Sequence, residues 1–252
     1  DRGSWLVYTL PYLEQDSLFK RIPSGITSIN QPIPAGVPDM NGYFYAGGND
    51  ALRKPLPYIR CPSDDWDASA HCTNYVGSMG PKCVTGPCGY NPYQGFCDGN
   101  AAFSPPAGYG WSPDHGNTVN ARELRGMFNR LGAAVNMASV KDGLSNTIMV
   151  GENLPAHFDH LQGGNWWHFN AGVAHCSTVV PINTRSDGNP SPDGCRQAAW
   201  NWNESMGFKS NHTNGANFVF GDGSVRFVTQ TIDHRTYQLL GCRNDGQPVN
   251  LP

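Results

Sequence analysis

No run of about 18 apolar residues occurs anywhere in the sequence, so no segment reads as a membrane-spanning helix. Charge is scarce too. Asp, Glu, Lys and Arg make up 15% of the 252 residues and the formal net charge is -3, which leaves no basic excess to hold nucleic acid or anionic lipid. There is no Walker phosphate loop, no dinucleotide-binding glycine fingerprint and no Gly-x-Ser-x-Gly elbow around Ser145. Matched Cys-x-x-Cys or His-x(3–5)-His pairs of the structural-zinc kind are missing as well. Neither a methionine nor an apolar signal core opens the sequence, so whatever exports or anchors the protein is expected to lie outside it.

What is abundant is punctuation. Thirty Gly and 20 Pro predict many turns and long loops, hence a β-dominated α+β fold. The length suits one large domain over residues 1–252, with loop-rich insertions at about 78–120 and 155–210. Eight cysteines, Cys61, Cys72, Cys83, Cys88, Cys97, Cys176, Cys195 and Cys242, lie in stretches that local structure restrains poorly. An even set of this kind predicts disulfides and an extracytoplasmic compartment. Cys176 with Cys195 is one plausible pairing among the 105 that eight cysteines allow.

Along the chain, Trp5 to Leu10 is an apolar opening ended by Pro11, followed by a short helical turn through Leu18 and Phe19. Residues 23–57, rich in proline, read as extended loop, and Tyr58 to Cys61 as a short strand. Thr147 to Val150 is a β-branched run fit for a buried strand. Ala216–Phe220 and Ser224–Val228 flank Gly221-Asp222-Gly223 and predict a hairpin. Its alternation, Phe218 and Phe220 against Asn217, then Val225 and Phe227 against Arg226, predicts one apolar face. A short helix should follow, with Thr231-Ile232-Asp233 supplying a capping residue and an N-terminal acid and Gly241 the stop.

Five separated landmarks occur in the order of a known family. They are Leu10-Pro11-Tyr12-Leu13-Glu14-Gln15; Cys61-Pro62-Ser63-Asp64; Thr73-Asn74-Tyr75; Asp142-Gly143-Leu144-Ser145-Asn146-Thr147-Ile148 with Gly151-Glu152; and His212 nine residues ahead of Asp222-Gly223. The sequence resembles the planctomycete family of prepilin-processed proteins with a C-terminal His-x(9)-Asp-Gly motif, related to type IV pilins and type II secretion pseudopilins. The resemblance implies a pilin-like globular head with an antiparallel sheet, preceded by a hydrophobic helix that this sequence does not contain. It implies a non-catalytic structural role in a cell-surface filament, array or secretion assembly. Partners would be further copies or related pilin-like subunits, with membrane contact only through the preceding helix.

If residues 215–222 are extended, seven steps of about 3.3 Å place the ends of that segment roughly 20 Å apart, which argues against a direct His212–Asp222 dyad. His212 then serves as a loop hydrogen-bonding residue and Asp222 as turn chemistry. His157, Asp159 and His160 have spacing that could ligate a metal, without an identifiable third element. Asp187, Asn189 and Asp193 supply oxygens for a possible calcium cradle or for a solvated turn; no other cofactor is required. Trp166, Trp167, Trp200 and Trp202 suit either core packing or a platform for a surface glycan or other solute, the alternative function.

Overall fold

The structure, a computed structural model, describes residues 2–28, 34–37, 39–46, 54–84, 86, 88–93, 116–186, 194–247 and 249. Four strands, β1 (Tyr75–Gly77), β2 (Ile148–Glu152), β3 (Gly215–Phe220) and β4 (Val225–Thr229), form one antiparallel sheet in the order β1-β2-β3-β4. Short helices surround it: α1 (Trp5–Thr9), α2 (Asp16–Phe19), α3 (Ser24–Thr27), α4 (Met40–Ala46), α5 (Asp159–Gly163), α6 (Trp202–Ser205) and α7 (His234–Gly241). The fold is α+β and β-dominated. Among the described residues no helix is long and apolar enough to cross a membrane.

The hairpin forms where the turn chemistry places it. Phe220 N donates to Ser224 O and Gly223 N to Phe220 O, both at 2.9 Å, closing the loop 221–223 with Gly223 at φ +84°. That left-handed conformation costs a residue with a Cβ about 1–2 kcal/mol and costs glycine almost nothing. Asp222 accepts from the Ser224 hydroxyl at 2.7 Å and its amide at 2.9 Å. Those bonds, the hydroxyl's first, hold its carboxyl below the usual range.

The faces differ from the expected ones. A three-residue loop pairs Phe218 with Arg226 and Val219 with Val225, so Val225 and Phe227 lie on the face opposite Phe218 and Phe220. Phe218 and Phe220 are fully buried, whereas Val225 is 66% and Phe227 48% exposed. Val228, not Phe227, carries β4 into the core, and the Arg226 guanidinium covers the Phe220 ring at 4.7 Å.

Among the described residues, two apolar clusters organise the fold. One packs Val76, Ile148, Phe208, Phe218, Phe220, Tyr237 and Leu240 around the sheet and α7. Gly151 lets it close, because a Cβ there would lie 2.5 Å from the Phe208 ring and 2.7 Å from Phe218. The other joins Leu6, Val7, Leu10, Ile26, Met40 and Phe44 to Trp166 and Trp167. Residues 23–57 are therefore not simply extended: α3 and α4 put Ile26, Met40 and Phe44 into this cluster. Pro57–Ile59 is a 3-10 turn and not the start of a strand, since proline occupies its first turn and Ile59 turns into the core. At the C-terminal end α7 follows the Thr231-Ile232-Asp233 segment, and within it the Asp233 carboxylate is the cap, accepting from Thr236 N at 2.8 Å.

Candidate functional site

Asn74, fully buried at the start of β1, is the hub of the site. Its amide nitrogen donates to Asp64 Oδ2 at 2.8 Å and to Asn153 O at 2.9 Å. Its amide oxygen accepts from Cys61 N at 2.9 Å and from Arg60 Nε at 3.0 Å. Both donor positions and both lone pairs are used. Arg60 also reaches Asp64 Oδ2 at 3.1 Å, Trp66 O at 2.5 Å and Cys72 Sγ at 3.2 Å, so the loop 60–64 is clamped by a buried ion pair and an amide.

That clamp fixes Cys61 beside Glu152 at the end of β2. Cys61 Sγ lies 3.9 Å from Glu152 Oε1 and 3.8 Å from His212 Nε2, and His212 Nε2 lies 3.2 Å from Glu152 Oε1. The other carboxylate oxygen of Glu152 accepts from Asn217 N on β3 at 2.7 Å. Asn211 fixes the chain beside His212 by donating to Ser63 O at 2.9 Å. Cys61 and Glu152 are buried, while the His212 side chain is 35% exposed. Tyr75 pairs across the ladder with Glu152, and its hydroxyl pKa is raised, mainly by burial and then by Cys61 and Glu152.

Residues 1–235 match the protein family described as protein of unknown function, DUF1559. The chain belongs to the DUF1559 family. No curated protein and no solved structure matches it. In this DUF1559 chain, four of the five landmarks meet at one place: Cys61 and Asp64, Asn74, Glu152, and His212. Asp222 stands apart at the hairpin tip, at the other end of β3 from His212, bonded to Ser224 and paired with Arg226 at 3.8 Å.

The Asp142 landmark is structural. Asp142 accepts from Asp245 N at 2.7 Å and Gly246 N at 2.8 Å, and Thr147 Oγ1 donates to Gly143 O at 3.1 Å. Gly143 takes φ +96°, and Asn146 Nδ2 donates to Asp142 O at 3.2 Å. Residues 142–147 thus tie the C-terminal segment to the entry of β2. Ser145 is exposed in that turn.

Other expectations change. Cys88 bonds to Cys195, which excludes the Cys176–Cys195 pairing, and Cys83 is also disulfide-bonded. Cys61, Cys72, Cys176 and Cys242 are free and buried, so the set of eight is only partly oxidised; Cys97 falls outside the described residues. Burial raises the Cys72 thiol to about 11 and Cys176 to about 12, and lifts Cys242 well above its ordinary value. These three are inert packing thiols.

Trp166 and Trp167 are fully buried and cannot form a platform, because their rings fill the core around Phe44. Trp202 turns its indole N–H to Asp159 at 3.2 Å, leaving Trp200 as the exposed member of the four. His157 contacts Ser186, whereas Asp159 and His160 face Trp202, so the three do not converge. Asp187, Asn189 and Asp193 lie outside the described residues.

Lys209, whose amide donates to Glu152 O at 2.8 Å, is fully buried. Its Nζ donates to Ser205 O at 2.6 Å and Gly207 O at 2.9 Å, covering the carbonyl end of α6. Burial drives its pKa from 10.5 down to about 7, against weaker opposing effects of Cys176 and Glu204. From about pH 7 to 10.5 the unfolded chain therefore binds more protons than the folded one. This group's contribution to stability rises with pH across that window and is flat below it. Urea unfolding of Lys209→Met should show a shallower rise from about pH 7 to about pH 9 than the parent does. Parallel curves for the two proteins contradict the assignment.

Proposed function

We propose that this chain is the head of an exported, pilin-like surface subunit that acts by assembling with copies of itself or with related subunits, without catalysis. The observation that carries this reading is the outer face of the edge strand β4, where Val225 is 66% and Phe227 48% exposed beside a sheet edge that no strand pairs among the described residues. Arg226, the charge on β4, is turned over Phe220 on the other face, so the outer face presents an apolar pair at a sheet edge to which a second subunit can add. The Cys88–Cys195 disulfide supports an oxidising, extracytoplasmic location.

The polar cluster supports a non-catalytic reading. A thiol–imidazole–carboxylate relay needs the acid on one ring nitrogen and the thiol on the other. Here His212 Nε2 faces both Cys61 and Glu152. The solute-binding alternative loses its main support with the burial of Trp166 and Trp167.

A photo-crosslinking residue placed at Phe227 in the full-length protein on its native cell surface tests the reading. The expected product joins position 227 to this protein or to a pilin-like subunit, and a probe at the exposed Leu131 does not give it. No product at 227, or the same products from both positions, contradicts the proposal.

A further inference from the structure

Among the described residues, Cys61, Glu152 and His212 are the one trio of His, Cys, Asp or Glu donors whose ligand atoms all lie within 4.8 Å of one another. Their separations have a specific size. A tetrahedral zinc ion, with bonds of about 2.3 Å to sulfur and about 2.0–2.2 Å to nitrogen and oxygen, holds its donor atoms about 3.4–3.6 Å apart. The three distances here are 3.8 Å for sulfur to nitrogen, 3.9 Å for sulfur to oxygen and 3.2 Å for nitrogen to oxygen. Movements of about 0.2–0.4 Å therefore convert the trio into three vertices of a tetrahedron. One imidazole nitrogen aimed at both other donors fails as a proton relay and suits a shared ion.

We propose that Cys61, Glu152 and His212 form a binding site for one zinc-class divalent cation, which pins the 60–64 loop and the His212 turn onto the end of β2. The donor set selects the metal class. Thiolate and imidazole suit a borderline-soft ion, whereas calcium and magnesium take oxygen ligands. Cys61 binds as thiolate and releases its proton to solvent, and Glu152 balances a second charge of the ion.

The surrounding bonds orient the donors independently of the ion. Asn217 N fixes the distal oxygen of Glu152 at 2.7 Å, Asn74 Oδ1 fixes the Cys61 backbone at 2.9 Å, and Asn211 fixes the chain beside His212 through Ser63 O at 2.9 Å. The partly exposed His212 side provides the entry path. The site is distinct from the surface at β4 and does not depend on assembly.

The test titrates chelator-treated protein with zinc and with cobalt(II) as a spectroscopic stand-in. The expected result is one equivalent bound, a tetrahedral cobalt spectrum with thiolate charge-transfer absorption, and loss of that absorption in Cys61→Ser. His212→Gln should weaken zinc binding at least about tenfold, while His160→Gln leaves it unchanged. Absence of stoichiometric binding, an octahedral cobalt spectrum without the sulfur band, or equal affinity in His212→Gln overturns the proposal. A disulfide containing Cys61 in protein taken from its native surface overturns it as well. Should either site variant fail to fold, the cobalt spectrum of the parent protein decides between these outcomes.

Discussion

Asn74→Ala is expected to lower the unfolding free energy by about 3–4 kcal/mol, a loss of about 10 °C in melting temperature for a chain of this size. The reason is the number of groups stranded together. The substitution removes the acceptor for Cys61 N and Arg60 Nε and the donor to Asp64 Oδ2 and Asn153 O, all in a place where Asn74 is fully buried. Buried polar groups without partners cost more than a hydrogen bond contributes when made. Asn74→Asp provides a sharper control. It keeps the acceptor oxygen but sets a second carboxylate where the amide nitrogen now lies 2.8 Å from Asp64 Oδ2. At neutral pH it should be destabilised like the alanine variant, and it should recover partly as pH falls and the two carboxyls share a proton. Thermal unfolding followed by circular dichroism at pH 7 and about pH 4.5 distinguishes the two. A loss below about 1 kcal/mol in both variants would mean that the loop 60–64 is held by other contacts.

Trp167→Ala should cost a similar amount, about 3–5 kcal/mol, for an apolar reason. The Trp167 ring stacks on Phe44 at 4.4 Å and 14°, and meets Trp166 edge-on at 5.5 Å and 89°. Its backbone carbonyl accepts from Ser4 N at 2.8 Å, and the Trp166 carbonyl accepts from the Ser4 hydroxyl at 2.5 Å. Removing the ring opens a cavity between α4 and the segment that anchors α1, which these short helices cannot close by bending. Near-perpendicular indoles at this distance should give a coupled near-ultraviolet dichroism signal that disappears in the variant. Trp167→Phe should retain most of the stability while losing that signal. If Trp167→Ala unfolds like the parent protein, the N-terminal helices do not depend on this cluster.

The two cases show what could be read in advance. Local chemistry was legible: the Gly221-Asp222-Gly223 loop, the helix start just after Thr231-Ile232-Asp233 and the β2 run all occur where residue types alone place them. The faces of the hairpin follow from the length of its loop and not from apolar alternation. A three-residue loop pairs 220 with 224, so even-numbered residues on both strands share a face and Arg226 must join Phe218. Apolar alternation showed that β4 has two faces but not which one is covered. The tryptophan pair stayed ambiguous because an indole serves a core or a surface equally well, and only the packing of α3 and α4 decides between them.

The polar cluster was the least legible part. Glu152 and His212 lie 91 and 151 residues from Cys61, and no periodicity links positions so far apart. Cysteine counting also pointed away from it, since an even number of cysteines favours pairing. The signal that could have found the cluster was that the Cys61-Pro62-Ser63-Asp64, Thr73-Asn74-Tyr75, Gly151-Glu152 and His212 landmarks are polar or chemically reactive, unlike the residues a core alone demands.

Imaging the surface of cells that make the full-length protein, with an antibody against the head domain, tests the structural role most directly. The assembly reading predicts filaments or regular arrays that bind the antibody along their length and are disrupted when Val225 and Phe227 are both replaced by aspartate. Antibody confined to dispersed, unassembled protein, or arrays unchanged by the double substitution, would contradict it.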